Sequence, residues 1–168
     1  KTEYLKGESA IGHVRYSTTG ASNINNIQPL YSQTSKGRIS IAHNGNLTNA
    51  LTLKNELVKT GSIFNSTMDT EVILHLIAKS NLNKVADKII DALKKVEGAY
   101  SIVAIADNAL FAISDPHGIR PLALGKINDA YIVASESCAF DIIGAEFIRD
   151  IEAGEMLVIN NEGVNSYR

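Results

Sequence analysis

The 168 residues carry 16 basic and 18 acidic side chains, a formal net charge of −2, with 45% hydrophobic and 20% charged content. This is ordinary for one globular domain that can bury a core, and it gives no electrostatic case for nucleic acid or another polyanion as partner. No apolar run reaches the length of a membrane span, no charged-apolar-small leader pattern opens the chain, and a single cysteine, Cys138, excludes an internal disulfide and fits a reducing compartment, so the cytoplasm is expected.

The chain opens at Lys1, and Lys1-Thr2-Glu3-Tyr4-Leu5-Lys6-Gly7-Glu8 reads as the end of a surface segment, so a piece of a longer protein is expected. Ile11-Gly12-His13-Val14-Arg15-Tyr16-Ser17-Thr18 alternates in β fashion, and residues 19–29 form a polar loop with only Ile24 and Ile27 to bury. A short strand is predicted at 30–33 and another at 38–42, which runs into His43-Asn44-Gly45-Asn46. Asn-Gly tolerates positive φ at little cost, so these four residues predict a turn from strand to helix.

Three helical stripes follow. Leu47, Ala50, Leu51, Leu57 and Val58 form the first, with Gly61 placed to end it. Met68, Val72, Ile73, Leu76 and Ile77 form the second, for which Ser66 or Thr67 is the predicted N-cap. Leu82, Val85, Ala86, Ile89, Ile90 and Leu93 form the third, stopping near Gly98.

The rest reads as strands. Residues 100–106 and 109–114 are apolar runs joined by Asp107-Asn108, a two-residue hairpin. Asp115-Pro116-His117-Gly118 is a turn, with strands predicted at 122–125, 131–135, 147–151 and 156–159 and a short helix within 137–144. Strands, then helices, then hairpin-linked strands predict a layered α+β fold with antiparallel sheet.

No P-loop, Rossmann glycine fingerprint or Gly-x-Ser-x-Gly elbow is present, and the four histidines are too scattered for a zinc site. Chemistry must come from Arg, Asp, Asn and backbone. Arg15 stands among apolar neighbours and fits a carboxylate partner; a strand-end arginine reaching solvent is the simpler reading of the same residue. Asp69 opens the second helix, where it serves either the helix dipole or a ligand ammonium, with Glu71 as the structural alternative in that turn. The Asn44 amide and the Gly45 N–H are two neutral donors suited to a developing oxyanion. An amino acid with a side-chain carbonyl would use all three points.

Taken together, Gly12-His13-Val14-Arg15-Tyr16-Ser17-Thr18, Ala42-His43-Asn44-Gly45-Asn46-Leu47 and Met68-Asp69-Thr70-Glu71-Val72 resemble the glutaminase domain of class II glutamine amidotransferases. Asp115-Pro116-His117-Gly118-Ile119-Arg120-Pro121-Leu122 and Ser135-Glu136-Ser137-Cys138 are most similar to the branch whose acceptor is phosphoribosyl pyrophosphate. The resemblance implies an N-terminal nucleophile hydrolase fold, a four-layer αββα sandwich, here lacking its first strands. It implies that Arg15, with the backbone at Thr18 and Thr19, takes the α-carboxylate of L-glutamine, that Asp69 takes the α-ammonium, and that Asn44 and Gly45 form the oxyanion hole.

The family nucleophile, an N-terminal cysteine, is expected upstream of Lys1. Cys138 is expected to be a buried structural residue and not a substitute. The whole chain is thus expected to be a partial glutaminase domain, inactive alone, separated from its phosphoribosyltransferase domain. In the intact protein it would supply ammonia for phosphoribosylamine in purine synthesis. The resemblance implies no cofactor or metal in this chain, magnesium and an iron–sulfur cluster in the intact enzyme, and a homo-oligomer. Loss of central strands predicts marginal stability or association of the isolated chain. A non-catalytic glutamine-binding or assembly module, or an amidotransferase with another acceptor, are the alternatives.

Overall fold

The computed structural model describes residues 7–14, 24–34 and 37–168. Residues 7–14 form no helix or strand, so the β alternation read from residue 11 onward does not produce one over its described part. A 3-10 turn at Ile24–Asn26 leads into β1 (Leu30–Thr34) and β2 (Gly37–Leu47). Three helices follow, α1 (Ala50–Lys59), α2 (Asp69–Lys79) and α3 (Val85–Leu93). Then come β3 (Gly98–Ala106), β4 (Ala109–Ser114), β5 (Ala123–Ile127), β6 (Ala130–Ala134), α4 (Cys138–Ile143), β7 (Glu146–Asp150), β8 (Met156–Asn160) and β9 (Gly163–Tyr167).

Among the described residues all pairings are antiparallel, in a six-stranded sheet of order β1-β2-β3-β4-β8-β9 and a three-stranded sheet of order β6-β5-β7. Strand alternation divides the first sheet cleanly. Ile39, Ile41, Tyr100, Ile102, Ala104, Phe111 and Ile113 point to one face, where Val72, Ile73, Leu76, Ile77 and Ile89 of the helices cover them. Ala112 and Leu157 point to the other, against Leu122, Leu124 and Ile151. On the far side of the second sheet, Phe140 of α4 packs on Gly125, where a Cβ would stand 3.0 Å from its ring carbons. The layer order is therefore helix, sheet, sheet, helix.

Several local features follow directly from the residues. Asp107 and Asn108 both take positive φ, 48° and 59°, as the tight β3–β4 hairpin requires. Gly61 sits one residue beyond the Thr60 cap of α1 with φ 89°, the predicted end. Asp115 is fully buried after β4, and its carboxylate accepts from the N–H groups of Tyr100 (3.2 Å), His117 (2.8 Å) and Ile119 (3.1 Å). That one side chain shapes the turn over 115–119.

Other expectations are corrected. Ile24 and Ile27 are exposed, whereas Asn26 and Gln28 between and beside them are buried. Leu51, Val58 and Leu82 are also exposed, whereas Leu47 and Leu57 of the first stripe are buried as expected. The residue preceding α2 is Met68, and no side chain caps that helix. Ser66 Oγ accepts from the Met68 N–H at 3.2 Å, and Glu71 reaches back to the N–H groups of Asn65 and Ser66 at 2.8 Å each. The hydroxyl thus acts one step outside the helix, and Glu71 takes the structural part in that turn. β9 has too few apolar residues to have been foreseen as a strand. Among the described residues no helix is long and apolar enough to cross a membrane.

Candidate active site

The largest correction concerns His43-Asn44-Gly45-Asn46, which is not a turn. β2 continues through it to Leu47, and β3 pairs with it residue for residue: His43 with Ile102, Asn44 with Ser101, Gly45 with Tyr100, Asn46 with Ala99. A long partner strand satisfies the backbone groups that a turn would have left open, so the ladder extends and the change of direction moves to residues 48–49. The glycine is still required, for two reasons. Its φ is 152°, and a Cβ there would come within 2.0 Å of the Ala99 carbonyl oxygen and 2.8 Å of His43 Nε2.

Alternation sends His43 inward, to 3% exposure on the helix side, and leaves Asn44 exposed. Asn44 shares its cross-strand position with Ser101, whose Oγ donates to the carbonyls of Arg120 (2.9 Å) and Pro121 (3.1 Å). The backbone at 120–121 is therefore held beside Ser101, the cross-strand partner of Asn44.

Asp69, the first residue of α2, meets the same strand end from the helix side. Its Oδ2 accepts the Leu47 N–H at 2.9 Å, and its Oδ1 lies 3.4 Å from His43 Nδ1. Burial raises the Asp69 carboxyl, but hydrogen bonds from His43 and from the Leu47 and Thr70 N–H groups outweigh it, and the group stays below its ordinary value. A carboxylate has about four acceptor directions, and the Asp69 side chain keeps 20% exposure, so an ammonium still has access to it.

Beneath these residues lies a polar network the sequence reading missed. The Gln28 amide grips both backbone groups of His43: its Nε2 donates to the carbonyl at 3.0 Å, and its Oε1 accepts the N–H at 2.7 Å. β1 begins only at Leu30, opposite Ile41, and two residues further along β2 the Gln28 side chain takes over from the strand ladder at His43. The Thr70 hydroxyl donates to Gln28 Oε1 at 3.4 Å and lies 3.3 Å from His43 Nδ1. Asn26 makes a second two-bond grip, donating to Thr67 Oγ1 at 2.8 Å and accepting the Thr67 N–H at 3.0 Å. The signal for both lay in two amides beside Pro29 in a loop of few apolar residues.

Asp69 and the Asn44-Gly45 strand are thus brought to one strand–helix junction. Arg15, Thr18 and Thr19 lie outside the described residues. Cys138 is exposed, contrary to expectation, because it opens the first turn of the short α4 rather than its buried side, which Phe140 occupies. Its Sγ donates to Glu136 at 3.4 Å; that hydrogen bond, slight desolvation and the Glu136 charge raise the thiol above its usual value. Among the described residues no three His, Cys, Asp or Glu side chains gather to hold a metal ion. One cysteine cannot by itself supply the thiolates of an iron–sulfur cluster.

Residues 13–141 match the glutamine amidotransferase domain family, and the chain belongs to it. It is 51% identical over 154 residues to an amidophosphoribosyltransferase of Rhizobium etli, covering 92% of this chain and 31% of that protein. It is 47% identical over 165 residues to the amidophosphoribosyltransferase of Bacillus subtilis, covering 98% of this chain and 35% of that one. A solved structure described as the allosteric regulatory enzyme of purine biosynthesis superposes with a TM-score of 0.89 at 46% identity, over 93% of this chain and 34% of its own. The chain spans about a third of the length of these relatives. The αββα layering is the N-terminal nucleophile hydrolase type of fold expected from the motifs.

Proposed function

We propose that this chain is the glutamine-binding and oxyanion-stabilising part of a glutaminase domain. In the complete gene product it supplies ammonia to phosphoribosyl pyrophosphate, the amidophosphoribosyltransferase reaction that begins purine synthesis. The observation that carries the reading is the junction of β2 with α2, where Asp69 binds the Leu47 N–H next to the strand that holds Asn44 and Gly45. Likeness to amidophosphoribosyltransferases over nearly the whole chain supports the choice of acceptor.

Each residue has a task in this reading. Asp69 stays ionised and receives the α-ammonium of L-glutamine, while Arg15, with the Thr18 and Thr19 backbone, receives the α-carboxylate. The Asn44 amide and Gly45 N–H meet the γ-carbonyl oxygen as a nucleophile adds to its carbon, and they hold the negative charge that develops there. A cysteine thiolate as nucleophile forms a thioester and releases ammonia, and water then releases glutamate.

Cys138 is not that thiolate. It is exposed on α4, its thiol is raised rather than lowered, and its own backbone N lies within the chain, so it has no free amine to act as base. We infer that the nucleophile lies outside these residues and that the 168-residue chain alone does not hydrolyse glutamine. Any magnesium or iron–sulfur cluster belongs to the rest of the protein. Exposed Ile142, Ile143, Phe147 and Ile148 suit contact with that remainder or with a second copy, in a homo-oligomer of the cytoplasm.

The test is Asn44→Ala in the complete gene product, followed by glutamate release. Losing one oxyanion donor should lower kcat about 10²–10³-fold with a smaller change in KM. An unchanged kcat would remove Asn44 from the mechanism.

A further inference from the structure

Asn26 and Gln28 stand on one short segment, yet each reaches a different element. Asn26 is 2% exposed and grips Thr67, two residues before Asp69. Gln28 is 6% exposed and grips the backbone of His43, the residue before Asn44. A primary amide offers one acceptor and one donor side by side, which is what the edge of a strand or the lip of a loop presents. Each grip is therefore a two-bond pair, and the two are spaced to span the gap between α2 and β2. No other described side chain bonds to the backbone of His43, and Thr70 joins the two sides through Gln28 and His43.

We propose that Asn26 and Gln28 are positioning residues that set the two halves of the glutamine site relative to each other. Gln28 fixes the height and direction of β2 at Asn44 and Gly45, and so acts on the transition state. Asn26 fixes the approach to α2 at Thr67, and so acts on the Asp69 carboxylate that receives the ammonium. This inference rests on the glutaminase reading above.

The division of labour gives a test that a purely structural role would not pass. In the complete gene product, Gln28→Met keeps the volume and loses both bonds to His43. It should lower kcat for glutamine hydrolysis about 10- to 100-fold per folded molecule, with KM for glutamine within about twofold of wild type. Asn26→Ala should do the reverse, raising KM several-fold with a smaller effect on kcat. Asn26→Asp should restore KM, because a carboxylate still accepts the Thr67 N–H, the Thr67 hydroxyl can turn to donate, and the charge suits a helix start.

Folded protein is counted by the amplitude of thermal unfolding in each sample. Should Gln28→Met not fold, Gln28→Asn, which keeps an amide one methylene short, carries the same expectation. Asn44→Ala runs alongside as the control. If Asn44→Ala loses activity while the Asn26 and Gln28 variants lose only Tm, with kcat and KM per folded molecule unchanged, the clasp is structural and the inference is overturned. If Asn44→Ala itself leaves kcat unchanged, the site reading fails instead.

Discussion

Gly45 shows how little space the site leaves for variation. Its φ of 152° and the Ala99 carbonyl oxygen 2.0 Å from where a Cβ would stand act together, so any side chain must push β2 away from β3. Backbone is the obstacle, and backbone in the middle of a ladder does not yield. Gly45→Ala should therefore cost about 3 kcal/mol, from strain and lost pairing, and lower Tm by about 10 °C. Thermal melting of the variant checks this, and a Tm within two or three degrees of wild type would mean that β2 relaxes cheaply. His43 makes the same point from the other side. Its Nδ1 faces Asp69 and Thr70, while its Nε2 is buried with no hydrogen-bond partner among the described residues, close to Gly45. An alanine at 45 would meet that ring as well.

At the scale of elements, Glu155 joins the two sheets. It stands just before β8, is 1% exposed, and accepts both terminal nitrogens of Arg149 on β7, at 2.8 and 2.7 Å. The Ser166 hydroxyl of β9 donates to it at 2.7 Å and the Glu152 N–H at 2.8 Å. The Arg149 bonds are the main cause that holds its carboxyl down at about 2, against an ordinary 4.5, in spite of burial. A folded value below the unfolded one stabilises the fold fully above the unfolded pKa. That contribution is lost as pH falls from about 4.5 towards 2. Glu155→Gln should flatten stability over that range, read by urea unfolding at stepped pH; an unchanged slope would assign the acid limb to other carboxylates.

The same scale explains what could be read in advance. The α3 stripe of Val85, Ala86, Ile89, Ile90 and Leu93 and the Asp107-Asn108 hairpin were legible because their causes are local, a 3.6-residue period and two residues that accept positive φ. The extension of β2 through Asn44 was not, because its cause is β3, more than fifty residues away in the chain. Asn26 and Gln28 misled for a related reason. Amides mark surface in most loops, and only their bonds to Thr67 and His43 make burial tolerable. Cys138 misled in the opposite sense, since free cysteines are commonly buried, but here Phe140 takes the inward position of a short helix. Within the site, Asp69, Asn44 and Gly45 were visible as chemical types, while the scaffold that holds them together was not.

For the whole molecule, the layer order explains where chemistry is available. Helices α1 to α3 close one face of the large sheet, and the small sheet closes the other, so both faces are committed to core. What remains open is the end of β2 and β3, where Asn44 is exposed and the turn shaped by Asp115 lies alongside. In the proposed reading, a substrate held there has its carbonyl met by the strand and its ammonium by α2, and Cys138 is not the nucleophile. The most direct measurement is glutamate release from glutamine by the 168-residue chain and by the complete gene product, at equal concentrations of folded protein. The complete product should hydrolyse glutamine and the chain alone should not. Steady release by the isolated chain, or none by the complete product, would contradict the account.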